Sequence, residues 1–319
     1  MRLAFLCLIL TTITLGCGPG EASNADQATV APPASLDSLQ AQLMQAAAPA
    51  KGRVGVAVAL LGTDEVVTLA ADEPFPMQSV FKLPLAMTVL DAVDRGDLRL
   101  DQPVRVTPAD FVSEQQHSPI RDEHPGGVTV PLSQLLQSAA SLSDGTAADV
   151  LLRLVGGPPA VTAYVQGLGV EDLTVAVTEQ DMGRDPEAQY QNWATPVGAL
   201  AVLRALDEGR GLSAESQQHL LQLLTETPTG PQRIKGRLPA STPVAHKTGS
   251  SRTVDGVTAA TNDVGIVTLP DGRRMAVVVF VSGSPADWAT REQVIADVSL
   301  AAYRFWARVE LEELDEADG

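Results

Sequence analysis

Two sets of strand-like runs stand near opposite ends of this chain, and residues 76–230 between them carry mostly helical signals. That arrangement leaves few folds open. Near the start, Arg53–Leu60 and Glu65–Ala70 flank the turn signal Gly62-Thr63-Asp64 and predict a hairpin. After Pro243 strand character returns. A run over 244–250 is followed by Asp263–Leu269 and Arg273–Val281, joined by the turn Pro270-Asp271-Gly272. Met275–Val281 is nearly all apolar, as a strand covered on both faces would be. Helical periodicity covers 36–48 and roughly 286–306. Strands from both ends pair most economically in one antiparallel sheet. The expected architecture is therefore α+β (α/β) with two lobes: a sheet flanked by the terminal helices, and an all-helical lobe. Residues 36–75 and 231–308 are assigned to the first lobe and 76–230 to the second. A cleft between lobes is a favoured place for a small-molecule site.

Composition narrows the function. The chain has 319 residues with 22 Lys+Arg against 39 Asp+Glu, a formal charge of −17. A binder of nucleic acid or of an anionic membrane needs a basic surface, so neither partner is expected. The two cysteines are Cys7 and Cys17, which leaves the body of the chain without a disulfide framework, a thiolate zinc site or a cysteine nucleophile. His117, His124, His219 and His246 show no H-x-H spacing, so no metal and no cofactor are expected.

The first residues read as an export signal. Met1-Arg2 is a short positive region, and Leu3–Leu15 is an apolar run too short to span a bilayer of roughly 30 Å. Thr14-Leu15-Gly16-Cys17 is similar to a bacterial lipoprotein box. Residues 1–16 are thus expected to be a signal peptide, and Cys17 a lipid-attachment residue that forms the only membrane contact. Cleavage after Ser23-Asn24-Ala25 is the rival. Residues 17–35 are small, polar and Pro-containing and read as a tether; 309–319 read as a solvated acidic tail. The expected localisation is periplasmic, as a monomer.

Three short motifs carry chemistry. In Ser79-Val80-Phe81-Lys82, helical geometry places the serine and lysine side chains one above the other on one face. The surrounding Phe75–Leu90 is apolar almost all round, so the lysine sits in a buried helix and needs a partner. A lysine there is able to accept the proton of the serine hydroxyl. Ser143-Asp144-Gly145 precedes a helical run and reads equally as a helix cap. His246-Lys247-Thr248-Gly249-Ser250 lies on the returning strand, where Gly249 permits close approach of another backbone or a ligand. Each motif alone is weak. S-x-x-K, S-D-x and K-T-G in this order are the signature set of serine penicillin-recognising enzymes.

On these motifs the chain resembles the class A serine β-lactamases over residues 36–306, and within them the PER- and VEB-type extended-spectrum subgroup. Gln78–Lys82, Leu154-Val155-Gly156-Gly157-Pro158, Gln189–Ala194, Thr229-Gly230-Pro231, Val244–Gly249 and Thr258–Asp263 carry the likeness. The resemblance implies hydrolysis of a small-molecule β-lactam, with a leaning to cephalosporins, through an acyl-serine. It implies Ser79 as nucleophile, Lys82 as base or proton relay, Ser143 as proton donor to the leaving nitrogen, and Glu179 as the base that activates water. The backbone N–H groups of Ser79 and Ser250 would form the oxyanion hole. Lys247, Thr248, Gly249 and Ser250 would bind substrate, with Arg233 serving the substrate carboxylate and His117 at the cleft mouth. Glu179 separates hydrolases from penicillin-binding D,D-peptidases, which share the other motifs; a non-hydrolytic β-lactam-binding lipoprotein is the second alternative. Three departures stand out. Gly145 replaces the Asn of S-D-N. Gly183 replaces an Asn or His that helps hold the hydrolytic water; with the donors at 145 and 183 both missing, Glu179 is expected to position that water with less help and the enzyme to turn over slowly. Val177 and Asn192 replace the Arg–Asp clamp of the loop that carries Glu179.

Overall fold

The structure, a computed structural model, describes residues 35–307. The signal peptide, Cys17, most of the tether and the acidic tail lie outside the described residues. Ser35 caps the first helix, Leu36–Ala47, by accepting a hydrogen bond from Ser38 N–H. Its apolar positions Leu39 and Leu43 are fully buried. The hairpin follows as Arg53–Leu60 and Val66–Leu69.

Five strands form one antiparallel sheet in the spatial order Val66–Leu69, Arg53–Leu60, Arg274–Ser282, Thr261–Thr268, Val244–Ser250. The chain's early hairpin therefore pairs with its last strand, with Val56 opposite Val279. Arg274–Ser282 is the central strand. Its side chains alternate between two cores, which explains why its sequence reads as unbroken apolar character. Val277, Val279 and Val281 point into one core with Leu39, Leu43, Ile295, Val298 and Trp306 of the terminal helices. Ala276, Val278 and Phe280 point into the other, shared with the helical lobe. The last helix, Trp288–Ala307, is the long amphipathic element expected from the sequence.

The middle of the chain is helical, with Lys82–Asp94, Leu132–Ala140, Gly145–Val155, Pro158–Gly167, Pro196–Asp207 and Ala214–Thr225 as its longer members. It also carries two small antiparallel sheets that sequence pattern does not reveal. Pro103–Val106 pairs with Val128–Pro131, and Trp193-Ala194 pairs with both Phe75-Pro76 and Leu173-Thr174. Segments of two residues are too short for any periodicity to register.

Phe75 and Phe280 stack beneath the sheet with ring centroids 5.7 Å apart, and both are fully buried. Gly55 stands across from Phe280 in the register; a Cβ there would lie 2.8 Å from both Phe75 Cζ and Pro196 Cγ. The glycine makes room for the aromatic ring that leads into the Ser79 segment. Phe280→Ala is expected to cost about 3–5 kcal/mol through the cavity it leaves. The denaturation midpoint, read at unchanged slope, checks it.

Candidate active site

Ser79 and Lys82 do not share an α-helix as the sequence suggested. Gln78–Phe81 is a 3-10 turn, and the α-helix begins at Lys82. A 3-10 turn has three residues per turn, so side chains at i and i+3 eclipse. The geometry of S-x-x-K is thus better served than in an α-helix: Lys82 Nζ donates to Ser79 Oγ at 2.8 Å. The same ammonium donates to the Ser143 carbonyl at 2.9 Å and pairs with Glu179 Oε1 at 2.6 Å. Lys82 is 1 % exposed, so these three oxygens stand in for its lost hydration.

Ser143 is held in an unusual backbone state, φ +63°, which a side chain disfavours. That state lets one residue serve both lysines, because its carbonyl accepts from Lys82 and its hydroxyl from Lys247 Nζ at 2.9 Å. Asp144, next along, is the helix cap that the sequence allowed. Its carboxylate accepts from Ala147 N–H, Ile120 N–H and the Ser118 hydroxyl. The two readings of this motif divide between adjacent residues.

Lys247 is fully buried on Val244–Ser250. Burial, and then the charge of Lys82, holds its ammonium well below the ordinary lysine range. Gly249 faces the segment before Ser79, where a Cβ would overlap the Met77 carbonyl, so the close backbone approach expected at this glycine is present. Asn262 on the neighbouring strand donates to the Pro76 and Met77 carbonyls at 2.8 and 3.1 Å and binds that segment to the sheet. The Thr248 hydroxyl shares a hydrogen bond with Thr229 at 2.7 Å.

Arg233 does not line the cleft. Its guanidinium is buried and fully engaged with Glu292, the carbonyls of Gly249 and Asn262, and Ser250 Oγ at 2.7 Å. It reaches the cleft through the Ser250 hydroxyl, which is exposed at the strand end. His117 is exposed at the mouth, with Nε2 2.9 Å from the Leu142 carbonyl. Its own carbonyl accepts from Gly145 N–H. A side chain at Gly145 would meet Val112 at 3.3 Å and that carbonyl at 3.4 Å, so the glycine fits a tight corner.

Glu179 starts the short helix Glu179–Arg184 and is 7 % exposed. Its loop is tied at the neck by Asn192, whose amide accepts from Ala176 and Val177 N–H and donates to the Val177 carbonyl. A neutral amide on backbone groups does here what an ion pair would do. The Asn192 carbonyl in turn accepts from Met77 N–H, joining the loop to the Ser79 segment. Two further residues hold Glu179 and were not singled out from sequence. Asp149 accepts from the backbone N–H groups of Glu179 and Gln180 at 2.7 and 2.9 Å. Gln116 donates to the Glu179 carbonyl at 2.6 Å and lies 3.3 Å from its Oε2. Asp149 carries a weak signal, being a carboxylate on an apolar helix; Gln116 carries none, because its contacts join stretches 63 residues apart. The cleft has a volume of about 340 Å³, and Ser79, Lys82, Ser143, Glu179, Gly183 and Ser250 line it.

A nucleophile-competent serine, a buried lysine and a carboxylate thus converge on one crevice, with a second lysine behind it. Against known proteins, the Beta-lactamase enzyme family matches residues 38–306. The chain belongs to the class A β-lactamases of that family. It is 47 % identical over 258 residues to the extended-spectrum β-lactamase PER-1 of Pseudomonas aeruginosa, covering 80 % of this chain and 83 % of that protein. It is 35 % identical over 275 residues to the β-lactamase VEB-1 of the same organism, covering 86 % and 92 %. A solved β-lactamase from Chitinophaga pinensis DSM 2588 superposes with a TM-score of 0.81 at 44 % identity, covering 83 % of this chain and 98 % of that one.

The β-lactamase carries one titrating group that reports on the Glu179 loop. Burial pushes the Asp149 carboxyl up from 3.8 to about 7, against the two backbone N–H bonds that favour its charge. Between those values the folded state holds a proton that the unfolded state has lost, so this group's contribution to stability falls as pH rises from 3.8 to about 7. Asp149→Asn removes the titration. The melting temperature of the variant minus that of the parent is expected to rise with pH across this window. A difference independent of pH contradicts the assignment.

Proposed function

We propose that this enzyme opens the lactam amide of β-lactams by a two-step acyl-serine route, and that the residues converging on Lys82 perform it. The observation that carries the proposal is the pair of contacts from Lys82 Nζ, 2.8 Å to Ser79 Oγ and 2.6 Å to Glu179 Oε1. They link a nucleophile and a carboxylate through one proton-bearing group. Ser79 Oγ attacks the lactam carbonyl carbon, and its proton passes to Lys82 as the ammonium hands one of its own to Glu179, or to Glu179 through a water. The backbone N–H groups of Ser79 and Ser250 receive the carbonyl oxygen as it becomes anionic, each worth on the order of 3 kcal/mol. Ser143, held by Lys247, hands its proton to the departing nitrogen as the C–N bond breaks, and regains one through the lysines. Glu179 then takes a proton from water as the water oxygen attacks the acyl carbon; when the ester C–O bond breaks, Ser79 Oγ takes a proton from Lys82, which Glu179 resupplies.

Substrate recognition follows from charge. Ser250 presents an exposed hydroxyl to the substrate carboxylate, with Lys247 and the Thr248 hydroxyl buried behind it and Arg233 orienting the Ser250 hydroxyl. The backbone-bonded neck at Asn192 and the name of the extended-spectrum relative favour oxyimino-cephalosporins as substrates, so the enzyme would confer resistance to them. The leader at residues 1–16 and Cys17 supports export to the periplasm with a lipid anchor, the enzyme acting there as a monomer.

Steady-state hydrolysis of nitrocefin and cefotaxime, with mass spectrometry of Ser79, tests the route. Glu179→Gln is expected to acylate and then stall, leaving a persistent adduct on Ser79 and kcat lowered at least about 100-fold. A parent enzyme that acylates without turnover contradicts the proposal.

A further inference from the structure

Glu179 and residue 183 stand four apart on the helix Glu179–Arg184, so a side chain at 183 would lie beside the Glu179 carboxylate. Position 183 is glycine, and the space is not empty. A Cβ on Gly183 would fall on Oε1 of Gln116, which reaches across from the opposite wall of the cleft. The Gln116 amide has a fixed orientation. Its Oε1 accepts from Ser113 N–H at 3.2 Å and from the Ser113 hydroxyl at 2.9 Å. An oxygen facing two donors leaves the NH2 end facing Glu179, with one bond to the carbonyl at 2.6 Å and a longer one to Oε2 at 3.3 Å. Lys82 holds the other carboxylate oxygen, Oε1. The Glu179 carboxylate is therefore gripped at both ends, once from the Ser79 side and once from the far wall.

We propose that Gln116 is the positioning residue for Glu179 in deacylation, supplying from another segment the amide that position 183 lacks. Gly183 is the residue that admits Gln116, whose amide holds the Glu179 carboxylate from the side where a residue-183 side chain would stand. The inference rests on Glu179 being the deacylating base.

The test uses nitrocefin turnover and intact-protein mass spectrometry of Ser79. Gln116→Ala is expected to slow deacylation about 10- to 100-fold, as misplacing a reacting group does. Acylation is untouched, so kcat and KM fall together, kcat/KM holds, and acyl-enzyme accumulates. Adding Gly183→Asn to Gln116→Ala puts an amide into the vacated space, and kcat is expected to recover by at least about fivefold over the single variant. A Gln116→Ala enzyme that keeps its kcat overturns the inference. So does a double variant that turns over no faster than Gln116→Ala, since a role in packing the loop alone would not be rescued from position 183. Glu179→Gln, run alongside, separates the two layers. If it turns over normally the assignment of the base falls, and the role of Gln116 with it. If it stalls while Gln116→Ala does not, the inference about Gln116 alone falls.

Discussion

One buried ammonium organises this molecule. Lys82 sits at the start of a helix whose residues 82–90 are all buried, where an unpaired charge would cost several kcal/mol. Three oxygens from three separate parts of the chain meet it: Ser79 Oγ, the Ser143 carbonyl and Glu179 Oε1. None is free to move without exposing that cost. Removing one member of a buried ion pair typically destabilises by about 3–5 kcal/mol, so the charge network is a structural element as well as a chemical one. The strained backbone at Ser143 follows from it, because only a carbonyl turned this way reaches Nζ while the hydroxyl faces Lys247.

The rest of the fold holds those three oxygens in register. The sheet brings Lys247 to the cleft and, through Asn262, grips the backbone just before Ser79. The helix Gly145–Val155 fixes Ser143 at its start through the Asp144 cap and holds the Glu179 loop further along through Asp149. Asn192 closes the neck of that loop and passes one more hydrogen bond to Met77. Serine, lysine and carboxylate are thus positioned from both lobes, and the two cores that pack against the sheet set the distance between them.

Much of this was legible in the sequence. The strand Val244–Ser250 and the hairpin partner Arg53–Leu60 have the bounds that alternation and turn residues indicate. The central strand announced itself through the unbroken apolar run that two covered faces require. Ser79, Lys82, Ser143 and Lys247 stand out by motif order and Glu179 by the family resemblance, and the structure brings them together. What escaped has a common cause. The 3-10 turn at Gln78–Phe81 is imposed by tertiary contacts at both ends of the segment. Asp149 and Gln116, and the indirect placement of Arg233, depend on hydrogen bonds to distant backbone or to one hydroxyl, and such bonds leave no periodicity along the chain. Glycine at 145 and 183 reads as loss until the neighbours that fill the space, Val112 and Gln116, are known.

The central claim is that Lys82 couples Ser79 to Glu179. Rapid-quench measurement of Ser79 acylation by nitrocefin in Lys82→Ala, with folding verified by circular dichroism, tests it most directly. The account predicts a folded protein whose acylation rate falls by at least about 100-fold, because the serine loses its proton-bearing partner. Acylation of Ser79 at the parent rate in that variant would contradict it.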